Sequence, residues 1–214
     1  MRAEVDLLVP VKRLTAAKSR LRGVAGDRGA HAALALAIVL DTLSAARGAE
    51  GVRRLVVVTA DPTVAGAARE VGAETLPDLP DTGLNPALRH GAEVLRAADP
   101  DSAVGALQSD LPALRPAELT AALRAAVDPG RPAGRAFCLD RQGAGTTLLV
   151  AASGRVLDPR FGPGSADAHR ASGASTLDGS WPSLRCDVDT RADLRYAAGL
   201  GLGARTATRL AAAG

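Results

Sequence analysis

Lys12 and Lys18 are the two lysines of a chain whose other 24 basic residues are all arginine. Both fall within "VPVKRLTAAKSR", residues 9–20, directly after an apolar run. An ammonium is a compact charge that reaches a phosphate oxygen from a crowded loop, where a guanidinium presents a broad planar fork. Arg20 adds a further cation to the same loop. Two solvated surface lysines ahead of a helix would spell the same letters. Neither G-x-x-x-x-G-K-[ST] nor G-x-G-x-x-G occurs, so no P-loop or dinucleotide fingerprint accounts for these cations.

Acids supply the complementary charge. In "LQSDLPAL" (107–114), Asp110 stands where an apolar run stops. Mg²⁺ is commonly held by one or two carboxylates together with phosphate oxygens and water, which suits an acid so placed. An Asp that starts a turn before Pro112 is the competing account. In "CDVDT" (186–190), strand alternation puts Asp187 and Asp189 on one face and Cys186 and Val188 on the other, so both acids can meet one metal. A capping box of Thr190 with Asp193 explains part of that stretch without a metal.

Two small-residue segments offer anion sites. "RFGPGSADAHR" (160–170) runs a Gly-Pro-Gly loop into a helix, with Ser165 at the N-cap position. Backbone N–H groups at such a terminus attract an anion, and glycines such as Gly162 let it come close. "GAGTT" (143–147) adds Thr146 as a donor to the same anion. Plain turn chemistry would account for both segments. His169 reads as a cap or packing histidine.

The elements that must position these residues alternate. Short Val- and Leu-rich runs are predicted as strands at 5–11, 53–61, 73–78 and 103–110. Alanine-rich segments of helical period lie at 31–47, 62–72, 86–98 and 116–127, the pattern of a βαβ protein with a largely parallel sheet. Strands at 134–141 and 145–152 form a hairpin. A short helix follows the 158–165 loop, and a last strand at 184–189 leads into a C-terminal helix. In an open α/β sheet the ligand crevice lies outside the carboxyl ends of the strands, where Lys12, Thr59, Asp61, Ser109, Asp110 and the later acids fall. Cations and carboxylates converging on one edge suit a metal-bound polyphosphate.

Composition narrows the partners. Aromatics make up 2% of the chain and the formal charge is +3, so there is no base-stacking platform and polymeric nucleic acid is excluded as a partner. Cys138 and Cys186 lie far apart with no zinc spacing, and both read as buried thiols. "AALALAIVL" (32–40), the longest uncharged apolar stretch, is too short to span a bilayer, which implies a cytoplasmic protein with no membrane partner.

"PVKRLTAAKSRL", "VTAD", "GLNPAL", "LQSDLPAL", "DRQGAGTT", "FGPGSADAHR" and "LRCDVDTRADL", in this order, resemble the phosphoenolpyruvate or 2-phospho-L-lactate guanylyltransferases of deazaflavin coenzyme F-420 biosynthesis. The resemblance implies a nucleotidyltransferase-like (Rossmann-like) α/β fold. Its mixed, mostly parallel sheet would carry helices on both faces in a single domain over 1–214. On that pattern Lys12, Lys18, Arg20 and Asn85 fall at the nucleotide, and Asp110, Asp187 and Asp189 at Mg²⁺. Thr146, Gly162 and Ser165 fall at the acceptor, with Asp110, Lys12 and Lys18 carrying catalysis.

The partners implied are GTP and a small phosphorylated three-carbon acid. Phosphoenolpyruvate ranks above 2-phospho-L-lactate and 3-phospho-D-glycerate. The product would pass to a downstream transferase of the pathway, and a homodimer is allowed. One departure touches the acceptor: many relatives read Gly-Thr-Asn where this chain has Gly-Thr-Thr at 145–147. A glycosyltransferase of similar shape and a non-catalytic nucleotide sensor are the competing functions.

Overall fold

The computed structural model describes residues 4–14, 28–128 and 133–212. Seven strands make one sheet: β1 (Val5–Pro10), β2 (Val52–Val58), β3 (Glu74–Leu76), β4 (Ala103–Leu107), β5 (Arg135–Leu139), β6 (Thr146–Ala151) and β7 (Ser175–Thr176). Their order is β3-β2-β1-β4-β6-β5-β7. Among these strands β6 alone runs against the others, antiparallel to both β4 and β5.

Helices cover both faces, and the pleat of the strands explains how. In β1, Val5, Leu7 and Val9 enter one core and Leu8 the other; in β2, Leu55 and Val57 oppose Val56 and Val58. The first core is closed by α1 (Arg28–Arg47), α2 (Pro62–Glu70) and α4 (Pro116–Ala126). The second is closed by α3 (Leu84–Ala98) and α5 (Ser165–Ala171). α2 starts where Asp61 caps the N–H groups of Thr63 and Val64 and Pro62 occupies the first turn. The C-terminal segment forms two helices rather than one, α6 (Arg191–Leu200) and α7 (Ala204–Ala211), broken at Gly201 and Gly203.

α1 extends past Asp41, so Gly29–Arg47 reaches bilayer-spanning length with a mean hydropathy of 1.5, the one such helix among the described residues. Its apolar surround has a structural cause. Ala35, Val39 and Leu43 pack on the sheet, while Leu34 and Ile38 join a third cluster with Ala113, Cys186, Val188, Leu194 and Ala197. A helix covered on two sides is apolar on two sides.

The first strand is less apolar than its run suggests. Asp6 is fully buried and receives Arg53 of β2 through Nε (2.8 Å) and a terminal nitrogen (2.7 Å). Arg53 also bonds Asp99 beyond α3, so one guanidinium ties three segments together.

The segment 184–189 is not a strand. It makes one backbone bond to the end of β4's course, Val188 N–H to the Asp110 carbonyl at 3.0 Å, and no ladder. β4 has already stopped at Leu107, and Pro112 has no N–H to continue a pairing. The expected alternation survives nonetheless: Cys186 and Val188 are buried, Asp187 is half-buried and Asp189 exposed. Packing against α1 and α6 imposes it instead of a sheet.

Candidate active site

The strand order reverses between β1 and β4, so the crevice outside their carboxyl ends is the topological switch point. A cleft of about 280 Å³ opens there. Val11, Lys12 and Leu14 line it from the end of β1, Gln108, Ser109 and Asp110 from the end of β4, and Asp189 from the segment before α6. A second cleft of about 210 Å³ shares Val11, Lys12 and Leu84 and continues to Val58, Ala60, Asp78 and Asp81. Lys12 is exposed and borders both spaces. Lys18 and Arg20 lie outside the described residues.

The segment that follows β1 and carries Lys12 is tied at Leu14. Leu14 N–H donates to Asp61 Oδ2 at 3.0 Å, while Asp61 Oδ1 accepts from Thr63 (2.9 Å) and Val64 (3.3 Å). Burial works against the charge, but these three N–H groups and the cation of Arg13 hold the Asp61 carboxyl below the usual carboxylate range. The strand-end acid is thus spent on helix α2 and on Leu14, two residues after Lys12. Thr59 Oγ1 accepts from Asp61 N–H and squares the same corner.

Across the cleft the acids crowd. Asp187 is pushed up to about 7, first by burial and then by the charges of Asp110, Asp140 and Asp189. One of its carboxylate oxygens, Oδ1, is buried without a hydrogen-bond partner. Concentrated negative charge around an orphaned oxygen fits a hard divalent cation, and Mg²⁺ accepts one or two carboxylates when phosphate oxygens complete its shell. Among the described residues no three acids, histidines or cysteines converge as a ready-made cage, so Asp110, Asp187 and Asp189 do not enclose an ion by themselves. The donor set suits a cation that arrives with a polyphosphate.

This charge crowding sets a pH signature. Between about 4 and 7 the folded protein keeps a proton on Asp187 that the unfolded chain has released, so this group lowers stability as pH rises through that window. His169 acts oppositely. Burial first, with the charges of Arg135 and Arg160, lowers it to about 4, although Asp158 pulls upward. Its contribution is present above 6.5 and is lost as pH falls toward 4. Asp187→Asn removes the first trend, so in metal-free buffer its urea midpoint climbs from pH about 4.5 to about 6.5 more steeply than the wild-type midpoint. Equal slopes would refute the assignment.

Because β6 runs antiparallel, its first residue, Thr146, lies at the edge where β4 ends; Gln108 N–H bonds the Thr147 carbonyl at 2.9 Å. The hairpin turn before it is built on Asp140, which accepts from Ala144 N–H at 3.0 Å. A Cβ at Gly145 would collide with that carboxylate. Arg185 donates to the Asp140 carbonyl (3.1 Å), linking the turn to the acidic segment.

The 158–165 loop is anchored on several sides. Asp158 pairs with Arg135 (3.0 Å) and Arg160 (3.2 Å). Phe161 exchanges two bonds with Asn85, its N–H to Oδ1 at 2.8 Å and its carbonyl with Nδ2 at 2.9 Å. Asn85 therefore holds the loop through both ends of its amide. Gly162 (φ 132°) and Gly164 (φ 70°) occupy left-handed space that other residues resist. Gly164, not Ser165, is the N-cap of α5; Ser165 is the buried first residue of the helix. Ala166 N–H to the Ala144 carbonyl (3.1 Å) draws the loop against the hairpin turn, which brings Thr146 toward Gly162 and Ser165.

Sequence reasoning missed Asp140, and it read His169 as a cap or packing histidine without its bond to Thr146. His169 is fully buried, with Nδ1 2.9 Å from Thr146 Oγ1 and Nε2 accepting from Arg160 N–H at 3.0 Å. Its place on the same helical turn as Ser165 was the available signal. Thr190 and Asp193 do form the expected capping box, and Asp193 also pairs with Arg141 at 2.8 Å.

A switch-point cleft flanked by a lysine and carboxylates, on a sheet of this order, suits an enzyme acting on a nucleotide, and the relatives below make it a nucleotidyltransferase. Solved structures share the fold. A putative nucleotide-diphospho-sugar transferase from Desulfovibrio desulfuricans superposes with a TM-score of 0.67 at 18% identity, over 91% of this chain and 85% of that one. A nucleotidyl transferase from Methanothermobacter gives 0.60 at 19% identity, over 92% and 97%. The chain belongs to the guanylyl transferase CofC-like family, whose pattern matches residues 5–164. Relatives named phosphoenolpyruvate guanylyltransferase include one from Geodermatophilus obscurus, 52% identical over 97% of this chain and 94% of its own. Another, from Salinispora arenicola, is 53% identical over 94% and 91%.

Proposed function

We propose that this enzyme transfers GMP from GTP to phosphoenolpyruvate in coenzyme F-420 biosynthesis. The observation that carries the reading is one cleft that joins Lys12, Asp110 and Asp189, in a chain more than half identical to relatives named for that reaction. A phosphate oxygen of the acceptor attacks the α-phosphorus of GTP in line. A new P–O bond forms, the α–β bridge breaks, and pyrophosphate departs with the bonding pair. The nucleophile is already anionic, so no general base is required. Positioning and charge neutralisation supply the catalysis.

In this scheme Lys12 faces the triphosphate, together with Lys18 and Arg20, which follow it in the sequence. Asn85 stands at the nucleotide, and its amide also fixes the acceptor loop at Phe161. Thr146, Gly162 and Ser165 hold the acceptor. Asp110 with Asp187 and Asp189 would hold Mg²⁺, which supplies charge neutralisation at the phosphates when bound. Residues 1–214 act as one domain in the cytoplasm, and the product passes to a downstream transferase of the pathway.

The test is product formation. The protein is incubated with Mg²⁺, each NTP in turn, and phosphoenolpyruvate, 2-phospho-L-lactate or 3-phospho-D-glycerate, with pyrophosphate measured and products identified by mass. GTP with phosphoenolpyruvate is expected to give both signals. Product from ATP or CTP alone would overturn the guanylyl assignment, and turnover of another acid in preference would overturn the acceptor. Thermal stabilisation by Mg-GTP without pyrophosphate would replace the enzyme with a sensor.

A further inference from the structure

His169 is buried between two aromatic rings, Phe137 at 5.5 Å and Phe161 at 5.3 Å between centroids, and the transfer chemistry does not use it. Its two nitrogens have different neighbours. Nε2 faces the backbone N–H of Arg160 at 3.0 Å, a group that can only donate, so Nε2 must carry a lone pair. A neutral imidazole then has its proton on Nδ1, 2.9 Å from Thr146 Oγ1. That N–H is shared between the Thr146 hydroxyl and the Ser165 carbonyl, so Thr146 cannot donate to the ring and its own O–H must aim elsewhere. Thr146 itself stands at the start of β6, beside the hairpin turn that Ala166 N–H ties to the 158–165 loop through the Ala144 carbonyl.

We propose that His169 is a positioning residue that fixes Thr146 as a hydrogen-bond donor to the anionic acceptor, through an imidazole locked as the Nδ1–H tautomer by the Arg160 backbone. Without the lock, a threonine hydroxyl beside an imidazole lone pair would donate to the ring and turn an oxygen lone pair toward the acceptor. An oxygen lone pair repels a carboxylate or phosphate. Burial, which lowers His169 to about 4, keeps the ring neutral at working pH and so preserves the asymmetry. The lock belongs to the loop as much as to the histidine: Arg160 is held where Asp158 pairs with Arg135 and where the neighbouring Phe161 is clasped by Asn85. This inference rests on the reading of Thr146 as an acceptor ligand.

The experiment has two arms. In the first, ¹⁵N-histidine spectra of the folded wild type at neutral pH, with the His169 signal identified by its loss in His169→Phe, report the tautomer directly. A protonated Nδ1 with unprotonated Nε2 is expected. An Nε2–H tautomer or an imidazolium overturns the lock, whatever the acceptor is.

In the second arm, KM values for GTP and for the acceptor are compared. His169→Gln places its amide near the Nε2 end and loses the donor to Thr146. It should raise the acceptor KM on the order of tenfold, the size of a hydrogen bond to a charged group, and leave the GTP KM unchanged. His169→Asn, whose amide nitrogen falls near Nδ1, should recover part of the loss. In a Thr146→Val background His169→Gln should add nothing further. Equal rises in both KM values, or an undiminished effect in the Thr146→Val background, overturn the proposal. If the tautomer is as stated but Thr146→Val leaves the acceptor KM untouched, the acceptor assignment of Thr146 fails instead.

Discussion

Asp110→Asn lowers kcat at least ~100-fold, the scale on which an electrostatic stabiliser of the transition state is lost. The substitution keeps the shape of the side chain and removes its charge. It also leaves the fold its backbone duty, since the Asp110 carbonyl that accepts from Val188 is unchanged. The variant should therefore melt close to wild type, and lost turnover can be read as chemistry. Steady-state pyrophosphate release with saturating Mg-GTP and phosphoenolpyruvate measures it. Wild-type turnover would remove Asp110 from the reaction and leave the acidic crowd around Asp187 without its proposed purpose.

Arg53→Ala is the largest expected loss of stability. It strips a fully buried carboxylate, Asp6, of both its guanidinium bonds and also frees Asp99. An uncompensated buried charge costs about 3 kcal/mol or more when its partner is removed. For a chain of this size that corresponds to a fall in Tm of roughly 6–12 °C. Replacing both partners by leucine should return much of the loss, because the pair itself gains little over well-packed apolar groups. A single variant that melts like wild type would refute the structural weight given to the Arg53 bonds to Asp6 and Asp99.

The contrast between these two acids shows what a sequence can disclose. Asp110's place at the cleft was legible because it ends an apolar run, and strand ends are where α/β sheets open their crevices. Asp6 lay inside a run and was overlooked, since its partner is 47 residues away on the neighbouring strand. The alternation of strands and helices, the hairpin and the Thr190 capping box were readable because each is a local pattern. Segment 184–189 misled for the same reason. Its period of two is real, but the burial that creates it comes from α1 and α6, and nothing local distinguishes a half-buried extended segment from a strand. That β6 lies beside β4, which brings Thr146 to the edge where Asp110 follows β4, depends on sheet order and could not be read from the hairpin alone. Asn85 was placed at the nucleotide, yet its amide is occupied by Phe161, a contact across 76 residues.

The clamps on the 158–165 loop have a thermodynamic consequence. Asn85, Arg135 and His169 order this loop as the chain folds, so its conformational entropy is already lost before any acid arrives. Calorimetry on acceptor binding should then record little ordering penalty and little change in heat capacity beyond the small area covered. On the proposed acceptor role, a site so clamped would discriminate by exclusion, and enlarging its tolerance would require loosening the clamps rather than reshaping the groups that touch the ligand.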